Sequence, residues 1–153
     1  MAEVTIDQIK KLREKTGAGV MDCRRALKET KGNLKAAEAW LAKKGIKAAA
    51  KRVGRETSQG TISAYTHHDK TVASLVILTS ETDFVARTKE FKDLAYELAM
   101  QVTATNPKDT KSLLAQPWIR DEKRKVKDLV NQLTAKTGEN IKVKEFTRLA
   151  LRK

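Results

Sequence analysis

The sequence predicts an α+β protein: three short helices, then a small antiparallel three-stranded sheet packed with helices. Three observations predict it. Apolar residues recur at helical spacing in three short segments before residue 45, each interrupted by glycine. Two β-rich runs, TISAYTH (61–67) and TVASLVILT (71–79), follow each other across a short polar turn. Two helix-period segments then precede a last alternating run, NIKVKEFTRLAL (140–151). After the first three helices the order is β-β-α-α-β, with no internal repeat.

The first helix follows Thr5, which with Gln8 forms a capping box, and Ile6, Ile9 and Leu12 supply its apolar side. TGAG (16–19) breaks it with two glycines. MDCRRALKET is the second helix, with Met21, Ala26 and Leu27 expected to be buried. Gly32 stops it and Asn33 caps the third, LKAAEAWLAKK, whose inner side includes Leu34, Ala37, Trp40 and Leu41; Gly45 is expected to end it. These residues, 1–45, read as one unit, 46–55 as a basic helical linker and 56–153 as the α+β core. TVASLVILT is apolar at both alternating sets of positions, which predicts a central strand covered on both sides. HDK (68–70) is the hairpin turn. A helix is expected from about Asp83 to Ala104, ended by Asn106-Pro107. Residues 106–120 form a loop with a short helical piece, SLLAQPW. DEKRKVKDLVNQLTAK (121–136) reads as one amphipathic helix capped by Gly138. The alternation of the last strand slips near Glu145-Phe146, the mark of a bulge.

The chain has 153 residues, 40% hydrophobic and 33% charged, enough apolar material for a core. It has no long apolar segment, so no membrane span is expected. Its start has acids and no apolar signal core. Cys23 is the single cysteine, which excludes an internal disulfide framework and fits a reducing compartment. The expected location is cytoplasmic. The net charge is +13, and residues 1–55 hold 15 Lys/Arg against 6 Asp/Glu. The densest stretch, KKGIKAAAKRVGR (43–55), has six basic residues and no acid. Such charge calls for an acidic partner, either nucleic acid or an acidic protein surface.

Enzyme signals are absent: there is no phosphate loop, no dinucleotide-binding glycine pattern, no metal-spaced Cys/His cluster and no arguable Ser-His-acid set. The expectation is a non-enzyme with no cofactor and no metal. RNA or ribosome binding is the rival reading, favoured by charge and by Tyr65, Trp118 and Phe146 as stacking candidates. Against it, aromatic content is 5%, and no strand interleaves aromatic with basic residues.

SETDFVARTKEF (80–91) carries the sharpest question. Thr82 is placed to cap a helix whose first turn holds Asp83 and Phe84. Phe84 either packs against that turn or projects into another protein.

Three stretches together resemble one family. IKKLREKTGAGVMDCRRAL, TDFVAR (82–87) and TGENIKV (137–143) are similar, in that order, to motifs of elongation factor Ts. The resemblance implies that the first three helices form a ubiquitin-associated-like domain and that the partner is elongation factor Tu, a GTPase whose GDP release the family promotes. Carried over by motif, Asp83 and Phe84 would insert between two partner helices near its magnesium, with Thr82 and Val85 beside them as partner-binding residues, and Met21, Asp22 and Cys23 would lie in the N-terminal unit that docks on the GTPase domain. His67, or its neighbour His68, would touch a second partner region. A homodimer is expected because the chain has one core where long members have two. NPKDTKSLLAQPWI makes in a dozen or so residues a connection that is longer in other members.

Overall fold

A computed structural model describes residues 4–152, without the side chains of 48 and 49; residues 1–3 and 153, at the ends of the expected units, lie outside the described residues. The first three helices are α1 (Ile6–Thr16), α2 (Val20–Glu29) and α3 (Leu34–Arg52). The Thr5–Gln8 capping box closes α1 as expected, and Gly17, at φ 67°, ends it in a left-handed turn open to glycine at little cost. Asn33 caps α3 through the Ala36 N–H. Leu12, Cys23, Ala26, Leu27 and Ala37 are fully buried between the helices, with Ile9, Leu34, Trp40 and Leu41 packed around them. Met21 is not among them. It is 71% exposed, because Cys23, Ala26 and Leu27 already fill the inward stripe of α2 and the 3.6-residue period turns Met21 outward.

Gly45 does not end α3, which continues to Arg52. Its use is close approach: a Cβ built at Gly45 lies 3.2 Å from the Cβ of Ala135, on α7 (Val126–Thr137). Glycine lets α3 lie directly on α7, so the expected linker begins as a continuation of the helix.

The larger layer contains β1 (Gln59–Thr66), β2 (Val72–Ser80) and β5 (Lys142–Ala150), in the antiparallel order β1-β2-β5. Ile77 pairs with Glu145 and Leu78 with Val143, so Lys144 is the extra residue of a bulge one position before the expected one. Ser74, Val76, Leu78 and Ser80 of β2 are buried toward α5 (Lys89–Thr105). There they meet Phe91, Leu94, Leu98 and Val102 of α5 and Val126, Val130 and Leu133 of α7 in one core. The buried hydroxyl of Ser74 is satisfied, donating to the Ala99 carbonyl at 2.6 Å and accepting from Thr103 at 2.8 Å. The opposite face of β2 is covered only in part, contrary to the sequence expectation: Ala73 and Ile77 are half-buried and Thr79 is buried. Leu75 is 45% exposed, because the helices that share a core with the sheet lie on its other side, while α1–α3 form a cluster of their own.

Two helix boundaries also differ from expectation. The segment after β2 is two helices, α4 (Asp83–Ala86) and α5. Thr88 divides them, its hydroxyl donating to the Val85 carbonyl at 2.8 Å while it caps α5 through the Phe91 N–H. After α6 (Thr110–Ala115), residues Pro117–Trp118 (β3) and Asp121–Lys125 (β4) pair as a small hairpin. Helix α7 therefore starts at Val126 rather than near 121, where Asp128 accepts the Lys125 backbone N–H at 2.9 Å. Buried Gln101 ties this hairpin to α5: its amide donates to the Pro117 carbonyl and its oxygen accepts the Ile119 N–H.

Gly60 is where the sheet tolerates least. A Cβ there would sit 2.2 Å from the Leu78 carbonyl oxygen and 2.9 Å from Thr79 Cα, both backbone. Gly60→Ala must push β1 away from β2, and urea titration is expected to show a loss on the order of 3 kcal/mol. A change below ~0.5 kcal/mol, the size of an ordinary surface substitution, would contradict this close approach.

Candidate functional site

The turn leaving β2 is fastened from three sides. Thr82 donates its backbone N–H to Glu139 Oε1 at 2.9 Å and its hydroxyl to Oε2 at 2.7 Å. The same hydroxyl oxygen accepts the Val85 N–H at 3.4 Å and caps α4. Ser80 donates to the Thr82 carbonyl at 2.8 Å. One residue earlier the exchange runs in the other direction: Glu81 Oε1 accepts the Asn140 N–H at 2.6 Å. The Asn140 amide then donates to the carbonyls of Arg55 (2.8 Å) and Val53 (3.4 Å). Arg55 also lies 3.6 Å from Glu81. Segments 53–55, 81–82 and 139–140 thus form one network. Bonds to a carboxylate are among the stronger ones, about 1.5–3 kcal/mol each where water is excluded.

On this fastened turn Phe84 is 79% exposed. The packing alternative for Phe84 is thereby excluded: Ala86 is buried in the core and Val85 packs against it, while Phe84 points away. Asp83 pairs with Arg87 at 3.0 Å, both well exposed; such a pair is screened by water and holds the carboxylate only weakly.

The other expected residues are dispersed. Met21 projects from α2. Asp22 is half-buried and ion-paired with Lys44 of α3. Cys23 is fully buried, its thiol 3.7 Å from the Ala18 carbonyl, and burial pushes its pKa up. It shapes the α1–α2 turn and offers no surface for contact. His67 lies just beyond β1, half-buried, with its Nδ1 3.4 Å from the Tyr65 hydroxyl. Its backbone N–H donates to the Val72 carbonyl to close the hairpin. Asp69 accepts from the Thr71 N–H and hydroxyl, and these bonds hold its carboxyl below the ordinary value. Because Gln59 pairs with Ser80 at one end of the sheet and Thr66 with Ala73 at the other, His67 and the Thr82 turn are separated by roughly 25 Å of strand. The fold does not bring them together. Among the described residues, no group of three or more His, Cys, Asp or Glu is arranged for a metal ion, and no helix is long and apolar enough to cross a membrane.

Sequence reasoning missed Glu139, Glu81 and Asn140 as site residues. The local signals for two of them were Gly138 stopping a helix just before an acid and an amide, and the TGENIKV motif (137–143) that holds Glu139 and Asn140.

Two outcomes are expected. Glu139→Ala removes both acceptors of Thr82, which is expected to cost about 2 kcal/mol in chemical denaturation and to raise amide exchange at Thr82 selectively; an unaltered exchange rate there would contradict the brace. Cys23 is expected to resist a thiol reagent such as dithionitrobenzoate in the folded protein and to react fully in denaturant. Rapid labelling of the native chain would contradict its burial.

Residues 81–153 match the family described as Elongation factor TS. Elongation factor Ts of Thermotoga neapolitana is 41% identical over 189 aligned positions, covering 95% of this chain and 96% of the relative. That of Thermotoga maritima is also 41% identical, covering 95% of each, and that of Nitratidesulfovibrio vulgaris is 37% identical, covering 97% of this chain and 96% of the relative. An alignment of 189 positions exceeds the 153 residues of this chain, so the relatives carry segments that have no counterpart here. With the fold in place and near-full coverage on both sides, the chain belongs to the elongation factor Ts family of translation elongation factors.

Proposed function

We propose that this chain is a guanine-nucleotide exchange factor for elongation factor Tu that works by binding, without covalent chemistry. The observation that carries the reading is Phe84, 79% exposed on a turn fastened to the core by Glu139. An aromatic held out in water by a rigid turn is suited to a partner pocket. Its ordering cost is met on folding, and burying it contributes about 1.5–3 kcal/mol on binding. Phe84 enters between two helices of the GTPase near its magnesium, and Asp83 leaves Arg87 to accept hydrogen bonds from the displaced segment. The three N-terminal helices, of the ubiquitin-associated kind, dock on the GTPase domain through the outer face of α2 around Met21. By linkage, the factor binds nucleotide-free partner more tightly than GDP-bound partner, and GDP weakens the factor by the same ratio. Only the rate of exchange changes, not its equilibrium.

The active species we propose is a homodimer. Ile62 (63% exposed), Leu75 and Leu149 (75% exposed) stand on the partly covered face of the sheet. The register places Ile62 beside Ile77 and Leu149 beside Ala73, so they share that face. An apolar sheet face of this kind is suited to a second copy. The separation of His67 from Phe84 also favours two copies, each reaching one partner region.

Phe84→Ala is expected to slow stimulated release of fluorescent GDP from elongation factor Tu roughly tenfold or more, with the melting temperature unchanged. Full activity in this variant would remove the wedge. RNA retention in a gel, with no acceleration of GDP release by the wild type, would favour the RNA- or ribosome-binding alternative through the basic 43–55 run. Sedimentation equilibrium at micromolar concentration is expected to give twice the 17.1 kDa chain mass, and Leu149→Asp is expected to give the monomer. A wild-type monomer with full exchange activity would contradict the dimer.

A further inference from the structure

A cleft of about 590 Å³ lies between α3 and α7, bounded also by the end of α1 and by β4. Its apolar lining includes Leu41, Ala42, Ile46 and Ala135. Five basic and three acidic side chains line it. Three of the five cations are already engaged: Lys15 with Glu38 at 3.0 Å, Lys44 with Asp22, and Lys136 with Glu90 at 3.0 Å. The remaining wall acid, Asp128, accepts the Lys125 backbone N–H. Arg52 and Arg124 are left, and neither is in an ion pair among the described residues.

Arg52 is the telling residue. Its Nη1 is buried and has no hydrogen-bond partner among the described residues. A buried donor without an acceptor costs about 1–3 kcal/mol, more when charged, and calls for an explanation. Arg124, also in the lining, is held in place by Gln132, which accepts its Nη2–H at 2.6 Å, and by the Trp118 ring 5.6 Å away. Two guanidinium groups without ion-pair partners, opposed in the lining only by the Asp128 carboxylate, beside apolar side chains, fit a ligand with an anionic phosphate group and an organic body. A phosphate monoester carries about −1.5 to −2 at neutral pH, and its oxygens match the guanidinium fork. The cleft volume lies within the range that holds a small organic molecule.

We propose that this cleft is a binding site for a small organic phosphate, with Arg52 and Arg124 holding the phosphate and the apolar side chains of Leu41, Ile46 and Ala135 holding the organic part. The site joins the N-terminal helices to the core, so a bound ligand ties α3 to α7. It is distinct from the Phe84 turn, and it stands whether or not the exchange reading does.

The test uses the full chain and two probes, inorganic phosphate and phenyl phosphate, with amide shifts followed by NMR. Phenyl phosphate is expected to shift the amides around Arg52, Arg124 and Ala135 saturably, with affinity near or below ~1 mM, and to bind about tenfold more tightly than inorganic phosphate. Arg52→Gln and Arg124→Gln are each expected to weaken it about tenfold or more. Without a probe, Arg52→Gln is expected to melt no lower than the wild type, since it removes an unpaired buried donor. Equal affinity for the two probes would overturn the organic ligand, leaving an anion contact only. Shifts spread over exposed lysines, the absence of saturable shifts, or unaltered binding in both variants would overturn the site. Displacement of phenyl phosphate from these amides by a short single-stranded RNA would overturn the small-molecule assignment.

Discussion

The carboxylate of Glu139 holding both the backbone and the hydroxyl of Thr82 is the interaction on which the candidate site depends. Thr82 leads directly from the central strand into α4, so fixing it fixes the direction in which Phe84 leaves the sheet. Glu81 and Asn140 repeat the exchange one residue away in the opposite sense. A turn held by Glu139, Asn140 and Arg55 from two distant segments is restrained from swinging to bury Phe84, and the cost of leaving an aromatic in water is offset by bonds made beneath it. The same network reaches Arg55 and Val53 through Asn140. The exit of the long helix α3 is therefore fastened at the same place.

This constraint organises the two packed regions of the chain. The N-terminal helices bury Leu12, Cys23 and Leu27 among themselves, and the larger core forms around Phe91, Leu98 and Val102 on one face of the sheet. Between them run α3, lying on α7 where Gly45 meets Ala135, and the Asn140 bonds. The other face of the sheet keeps Ile62, Leu75 and Leu149 in water. Among the described residues nothing covers them, which gives the two-copy reading its physical basis.

Much of this was legible in the sequence because it is local. The capping box at Thr5, the Asn33 cap, the central β2 and the stop at Asn106 each depend on residues within four positions. What failed was non-local. Gly45 reads as a stop, yet it serves an approach to a helix some ninety positions later. Residues 121–125 read as helix because their charges suit either state, and only pairing with Pro117–Trp118 makes them strand. The apolar alternation of β2 is real on both faces, but a sequence does not say on which side its helices will lie. For the site, Thr82 and Phe84 were identifiable from their motif, whereas Glu139 became a site residue only once the fold brought it 57 positions back to Thr82.

The central claim is that the Glu139 brace acts through the direction it gives Phe84. A double-mutant cycle on stimulated GDP release from elongation factor Tu tests it most directly, using Glu139→Gln, Phe84→Ala and the double variant, each with its fold verified by near-UV circular dichroism. If the brace works through Phe84, the double variant will be no slower than Phe84→Ala alone, because the two substitutions remove the same interaction. Losses that add in full, or a Glu139→Gln protein as active as the wild type, would contradict the account.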